Sequence, residues 1–170
     1  MINRKSLFWI LTVLLVFLLQ VTISDRISIY GAAPNLFVLS TIYFAIRGGP
    51  LAGEILGFIF GLINDVTSVS VFGSQTFMMI LIGYLAGRLE RKVDEEKYSA
   101  QMALVLLMSF VNLLGILFWE TLFGGVPQRF RDKFMILVPI YSTVICPALF
   151  WGLMRWGAFF RRAGLKNKSL

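Results

Sequence analysis

Residues 49–65 read GPLAGEILGFIFGLIND. Glycines recur at Gly49, Gly53, Gly57 and Gly61, and Asp65 is the next term of the same four-residue series. Each step of four turns about 400° around an α-helix, so these positions form one slowly drifting stripe on one face. Between helices in lipid, hydrophobicity drives little association, and small residues let backbones approach into van der Waals contact. The stripe is therefore a close-packing face. It either closes against another helix of this chain or docks a helix of another protein. Glu54 interrupts the apolar run and lies about three turns from Asp65, near the same face and roughly 16 Å away along the axis.

The rest of the chain places this helix in a membrane. Of 170 residues, 58% are hydrophobic and only 15% charged, with a mean hydropathy of +0.79. Soluble domains carry about 25% charged residues. The formal charge of +7 belongs to loops that orient the chain, since cations are scattered over several of them and no nucleic-acid-binding motif accompanies them. The chain has no histidine and one cysteine, Cys146. That removes the commonest general base, the usual zinc ligand, internal disulfides and thiolate metal sites. Carboxylates alone remain for chemistry.

Six apolar segments follow: 6–24, 33–46, 50–64, 72–86, 100–123 and 134–156. They read as an all-α integral membrane protein, six transmembrane helices in one bundle forming a single domain over 1–170. A perpendicular crossing takes about 20 residues, so the second, third and fourth segments are short. They are either full helices recessed among neighbours or, for two of them, a re-entrant hairpin covered by protein or water. Arg47-Gly48-Gly49-Pro50 reads as a turn at the membrane surface, with Pro50 suited to the first turn of the next helix. The first segment has Arg4 and Lys5 before it, but its apolar core is long for a signal peptide and no Ala-x-Ala site follows, so it reads as a retained helix. With both termini cytoplasmic, twelve of the sixteen cations fall inside, leaving Arg26, Arg129, Arg131 and Lys133 outside, as the positive-inside rule requires. The three cations of loop 124–133 run against that rule.

Several residues stand out as candidates. Glu54, about one turn inside the cytoplasmic end of its helix, reads as an interfacial partner of Arg47. Asp65 ends its helix beside Asn64, Thr67 and Ser68, and is either a loop residue, a cap for the next helix, or a partner-control residue. Glu120 stands beside the interfacial Trp119. Pro139 and Pro147 imply kinks in the last helix, and Asn112 implies a hydrogen bond to a neighbouring helix. In 88–97, RLERKVDEEK, charges of like sign align at helical spacing, so the segment reads as a solvated loop.

Read together, Pro34-Asn35, the run Gly53-x-x-x-Gly57-Phe58-x-x-Gly61-Leu62-x-x-Asp65, Phe72-Gly73 and Gly83-Tyr84-Leu85-Ala86-Gly87-Arg88 resemble the rod-shape-determining MreD family. The resemblance covers roughly residues 3–162, with the specific motifs confined to 34–88. It implies a non-catalytic scaffold in the bacterial inner membrane, multi-pass, within the machinery for cell elongation and peptidoglycan synthesis. The partners it implies are MreC, bound through transmembrane helix packing, and more distantly MreB, RodA and a class B penicillin-binding transpeptidase, besides membrane lipid and a homodimer within a larger complex. It implies no cofactor. It also implies a fold similar to the S-components of vitamin importers. The family pattern falls on Pro34, Asn35, Gly53, Gly57, Gly61, Asp65, Gly73 and Tyr84, which makes Pro34, Asn35, Asp65, Gly73 and Tyr84 the candidate partner or ligand site. An acidic residue follows the proline in the family pattern, and Asn35 departs from it.

Two other functions compete. The alternative is the substrate-binding subunit of a small-solute, vitamin-like importer, motivated by the S-component likeness and by Asp65. The first segment, SLFWILTVLLVFLLQVTIS, lacks the Ala-x-x-x-Ala docking face typical of such subunits. A proton-coupled carrier would use Glu54, Asp65 and Glu120, but these have no evident partner at the membrane midplane.

Overall fold

The computed structural model describes residues 4–23, 26, 33–68, 71–89, 98–123 and 136–165. Loop 124–133 and most of 88–97 lie outside the described residues. Among the described residues five helical elements follow one another: α1 (Arg4–Ile23), α2 (Leu36–Thr67), α3 (Ser74–Leu89), α4 (Tyr98–Phe123) and α5 (Leu137–Leu165). By length and composition Leu36–Thr67, Ser99–Phe123 and Leu137–Phe160 suffice to cross a membrane, and Leu7–Thr22 is a shorter apolar helix. The six apolar segments thus occupy five elements, because the second and third are joined in α2.

Gly49 explains the joining. Its φ of +79° interrupts the helical backbone, a left-handed conformation that glycine adopts without the Cβ penalty. Pro50 follows, with its ring pre-set for a first helical turn and no N–H to leave unpaired. The two arms then lie side by side. The ring of Phe37 stacks on that of Phe60, with centroids 5.3 Å apart, and a Cβ on Gly53 would stand 2.6 Å from that of Ala45. We call the arms α2a (residues 36–48) and α2b (residues 50–67). Since α2 doubles back, its 32 residues do not measure one crossing.

The sequence of α2a explains where it sits. LFVLSTIYFAI has no charged residue, and its few polar groups, Ser40, Thr41 and Tyr43, form no solvent face; such a helix belongs in the interior. Every residue from Leu36 to Ile46 is buried. Its thirteen residues reach about 20 Å, against a hydrocarbon thickness of about 30 Å. The other helices surround it. Tyr43 meets Phe150 of α5 and Phe44 meets Trp9 of α1, each edge-on or tilted at about 5 Å. Asn35 with Ser142, Tyr43 with Phe150 and Arg47 with Met154 are each 107 residues apart, so α2a and α5 run parallel in constant register. Phe77 of α3 meets Trp119 of α4, while Trp156 of α5 donates to Thr12 Oγ1 of α1 at 3.0 Å. Pro139 lies in the first turn of α5, where backbone N–H groups have no helical partner in any case, and the helix continues through Pro147.

Candidate functional site

The bundle has two ends. At the reversal end stand Gly49, the start of α1 and the ends of α3 and α5. At the capped end, α2 and α3 begin and α1 and α4 finish.

Helix N-termini leave N–H groups without partners. Within a membrane no water is at hand, so the protein must supply acceptors. At the start of α2, the Asn35 side chain accepts from Val38 N at 3.1 Å. Gln20 of α1 bridges the same turn: its Oε1 accepts from Leu36 N at 2.7 Å, and its Nε2 donates to Pro34 O at 3.4 Å. Asn35 N donates to Ser142 Oγ of α5 at 3.1 Å. Three elements thus converge on one helix start.

Asp65 does the same for α3. It is 3% exposed, and its carboxylate accepts from Gln75 N at 3.1 Å, from Thr76 N at 2.9 Å and from the Thr76 hydroxyl. A carboxylate at a helix N-terminus also meets the positive end of the macrodipole, worth up to ~2 kcal/mol when partly buried. Gly73, at φ +90°, turns the chain into α3, and Phe77 N donates to its carbonyl at 2.9 Å. Glu120, the last buried residue of α4, stands at this end, one residue after the Trp119 that meets Phe77.

Of the residues marked out by the family pattern, Pro34, Asn35, Asp65 and Gly73 gather at the capped end. Tyr84 does not join them. It lies near the reversal end, with the Arg88 guanidinium 5.3 Å from its ring centroid. The same device recurs in α2a and α5, where Arg47 lies 5.5 Å over Tyr43 and Arg155 lies 4.6 Å over Trp151.

Arg47 and Glu54, expected as an interfacial pair, stand on either side of the reversal. Arg47 ends α2a facing α5, with Nη2 3.5 Å from Met154 Sδ. Glu54 lies beyond the reversal on α2b, where its backbone N abuts the Cβ position of Gly83.

The glycine stripe faces α3. A Cβ on Gly53 would stand 2.5 Å from Gly83 O, and one on Gly87 would stand 2.5 Å from Pro50 N. Cβ atoms on Gly57 and Gly61 would run into the backbones of Met79 and Thr76. Gly83 and Gly87 of α3 answer the stripe at the same four-residue interval. Gly49 is the exception, with nothing within 4 Å of its Cβ position, and its role is the turn. Reading one helix at a time missed Gln20, Ser142 and Thr76. The available signal in Gln20 was a lone amide in an otherwise apolar stretch.

Two open grooves flank α1. Between α1 and α2b runs an apolar groove of about 1170 Å³, walled by Trp9, Val13 and Phe17 on one side and by Leu51, Ile55 and Leu62 on the other. On α2b it extends from Leu51 to Thr67, about 24 Å at 1.5 Å per residue. A smaller groove of about 550 Å³ separates α1 from α5.

A buried glycine clasp between two short helices, with capped starts at one end, is the arrangement that the motif of residues 34–88 encodes. The family described as rod shape-determining protein MreD matches residues 2–156 of the chain. The chain belongs to the MreD family. Membership assigns it to rod-shape determination and to a family of membrane proteins that is not a known enzyme family. No curated protein and no solved structure matches the chain. Among the described residues of this MreD-family protein, no three acidic or cysteine side chains are placed to hold a metal ion.

Proposed function

We propose that this MreD-family chain is a non-catalytic scaffold of the cell-elongation machinery in the bacterial inner membrane, and that it packs the transmembrane helix of MreC. In this reading α1, α2a, α2b, α3, α4 and α5 are six crossings of an S-component-like bundle, with both termini and the reversal end on the cytoplasmic side. MreB, RodA and a class B penicillin-binding transpeptidase belong to the wider assembly.

One observation carries the reading: the groove between α1 and α2b. Its length of about 24 Å covers most of the hydrocarbon thickness, its walls are aliphatic and aromatic, and it opens on the side of α2b that the glycine clasp with α3 leaves free. The clasp itself is occupied by α3, so the stripe is spent within the chain. The importer reading draws less support, because both oxygens of Asp65 are engaged in capping α3. Single cysteines in a Cys146→Ala background test the scaffold. With the chain and MreC coexpressed, cysteines at Leu51, Ile55 and Leu62 should crosslink to the MreC helix, and a cysteine at Phe118, exposed on α4, should not. The opposite pattern would remove the groove from the proposal.

A further inference from the structure

We propose that the groove between α1 and α5 seats an anionic phospholipid, with its phosphate on Arg155 and one acyl chain along Gly152 and Ala148. Three observations converge there. The groove is lined by Leu15 and Leu19 from α1 and by Ala148, Gly152 and Arg155 from α5. Along α5 it runs from Ala148 to Phe159, about 17 Å. From Arg155 to Ala148 about 10 Å is open to an acyl chain, which fits within one leaflet, half of the ~30 Å hydrocarbon core, and the whole groove is too short for a crossing helix. Its volume of about 550 Å³ falls within the ~300–1,000 Å³ typical of ligand clefts.

Gly152 supplies the second observation. A glycine inside a helix is less favourable than alanine by about 1 kcal/mol; close packing against a facing backbone explains Gly53, Gly57, Gly61, Gly83 and Gly87, but not Gly152 or Gly157. Nothing lies within 4 Å of the Cβ position of Gly152. Its missing side chain opens the groove instead of admitting a neighbouring helix.

The third is charge. Arg155 is exposed, is held over the Trp151 ring and makes no ion pair with a described carboxylate. It sits towards the reversal-end side of the groove, at the depth where tryptophan marks the membrane interface. A guanidinium matches phosphate oxygens bidentately, and basic pockets between transmembrane helices bind anionic headgroups. Arg47, which contacts Met154, the residue before Arg155, adds positive potential at the same end of the bundle.

The test uses the full chain in mixed-lipid nanodiscs, with retained phosphatidylglycerol and phosphatidylcholine counted by native mass spectrometry after detergent extraction. Arg155→Gln should lower phosphatidylglycerol retention about fivefold, the effect of one lost cation near a membrane surface, and leave phosphatidylcholine unchanged. Gly152→Leu should lower retention of both by filling the groove. Leu15→Trp fills it from the opposite wall and serves if Gly152→Leu fails to fold. Arg88→Gln, which removes a similarly stacked cation outside the groove, should have no effect. Equal retention of the two lipids by the parent chain would overturn the proposal. So would equal losses in Arg88→Gln and Arg155→Gln, which would mean general attraction to the leaflet. Displacement of phosphatidylglycerol by millimolar inorganic phosphate would assign the site to free phosphate.

Discussion

The two ways in which helices are held in this chain differ sharply. Between α2b and α3, glycines bring backbone against backbone over the whole shared length, and no space is left between them. Around α1, a few polar bridges and ring contacts do the holding. Gln20 reaches the start of α2, Thr12 accepts from Trp156, and Trp9 and Phe8 meet Phe44 and Phe160. A groove remains open on each side of it. In lipid, apolar side chains gain little by leaving the acyl chains for one another. A permanent contact therefore needs close backbone approach or satisfied polar groups. A helix held at a few points can leave room for other molecules beside it.

This contrast can be broken or sharpened by mutation. The largest effect is expected at the clasp. Gly57→Leu forces a side chain into the Met79 backbone and should destabilise the chain by about 3 kcal/mol, the upper range for overpacking, as read by thermal unfolding in detergent. The comparison fails if Leu14→Phe, on the open α1 face, costs as much. Next comes Asp65→Ala, which strips three donors at the start of α3 of their acceptor. A loss of about 2 kcal/mol is expected, with partial recovery in Asp65→Asn, which keeps one carbonyl oxygen. If Asp65→Ala leaves unfolding unchanged but abolishes assembly with MreC, the carboxylate is a partner-control residue and the cap is incidental.

Gln20→Leu should cost less, about 1 kcal/mol, and its signature should be local. Hydrogen exchange at the start of α2 should rise while α3 stays protected. Uniform loss of protection would show that α1 is as integral to the core as the clasp. The smallest effect is expected for Thr12→Val, which removes the acceptor of Trp156. About 0.6 kcal/mol is typical for one hydrogen bond between membrane helices, measurable as a small shift in Trp156 fluorescence or in the unfolding midpoint.

Much of this was legible before any coordinates. The four-residue interval of Gly53, Gly57 and Gly61 required a close-packing face, and the capping alternative for Asp65 was open from its place at a helix end. The turn at residues 47–50 was legible too, but not that Arg47 would face Met154 of α5. The place of Tyr84 was not legible either. It shares a motif with Asp65 and Gly73, yet α3 carries it more than two turns away towards the opposite end.

The sequence by itself determined the material of the helices: apolar runs of limited length, a glycine period, and a Gly-Pro break at 49–50. These are local properties, set by backbone sterics and by what a side chain can bury in lipid. Only the tertiary structure decided which helix receives the glycines, which one stands in the centre, and which polar groups meet at the capped end. The reason is that each N–H of a helix start needs an acceptor, and for Leu36, Gln75 and Thr76 that acceptor comes from another helix. Pairings of that kind have no period and no spacing along the chain. They arise when helices of particular lengths are laid side by side.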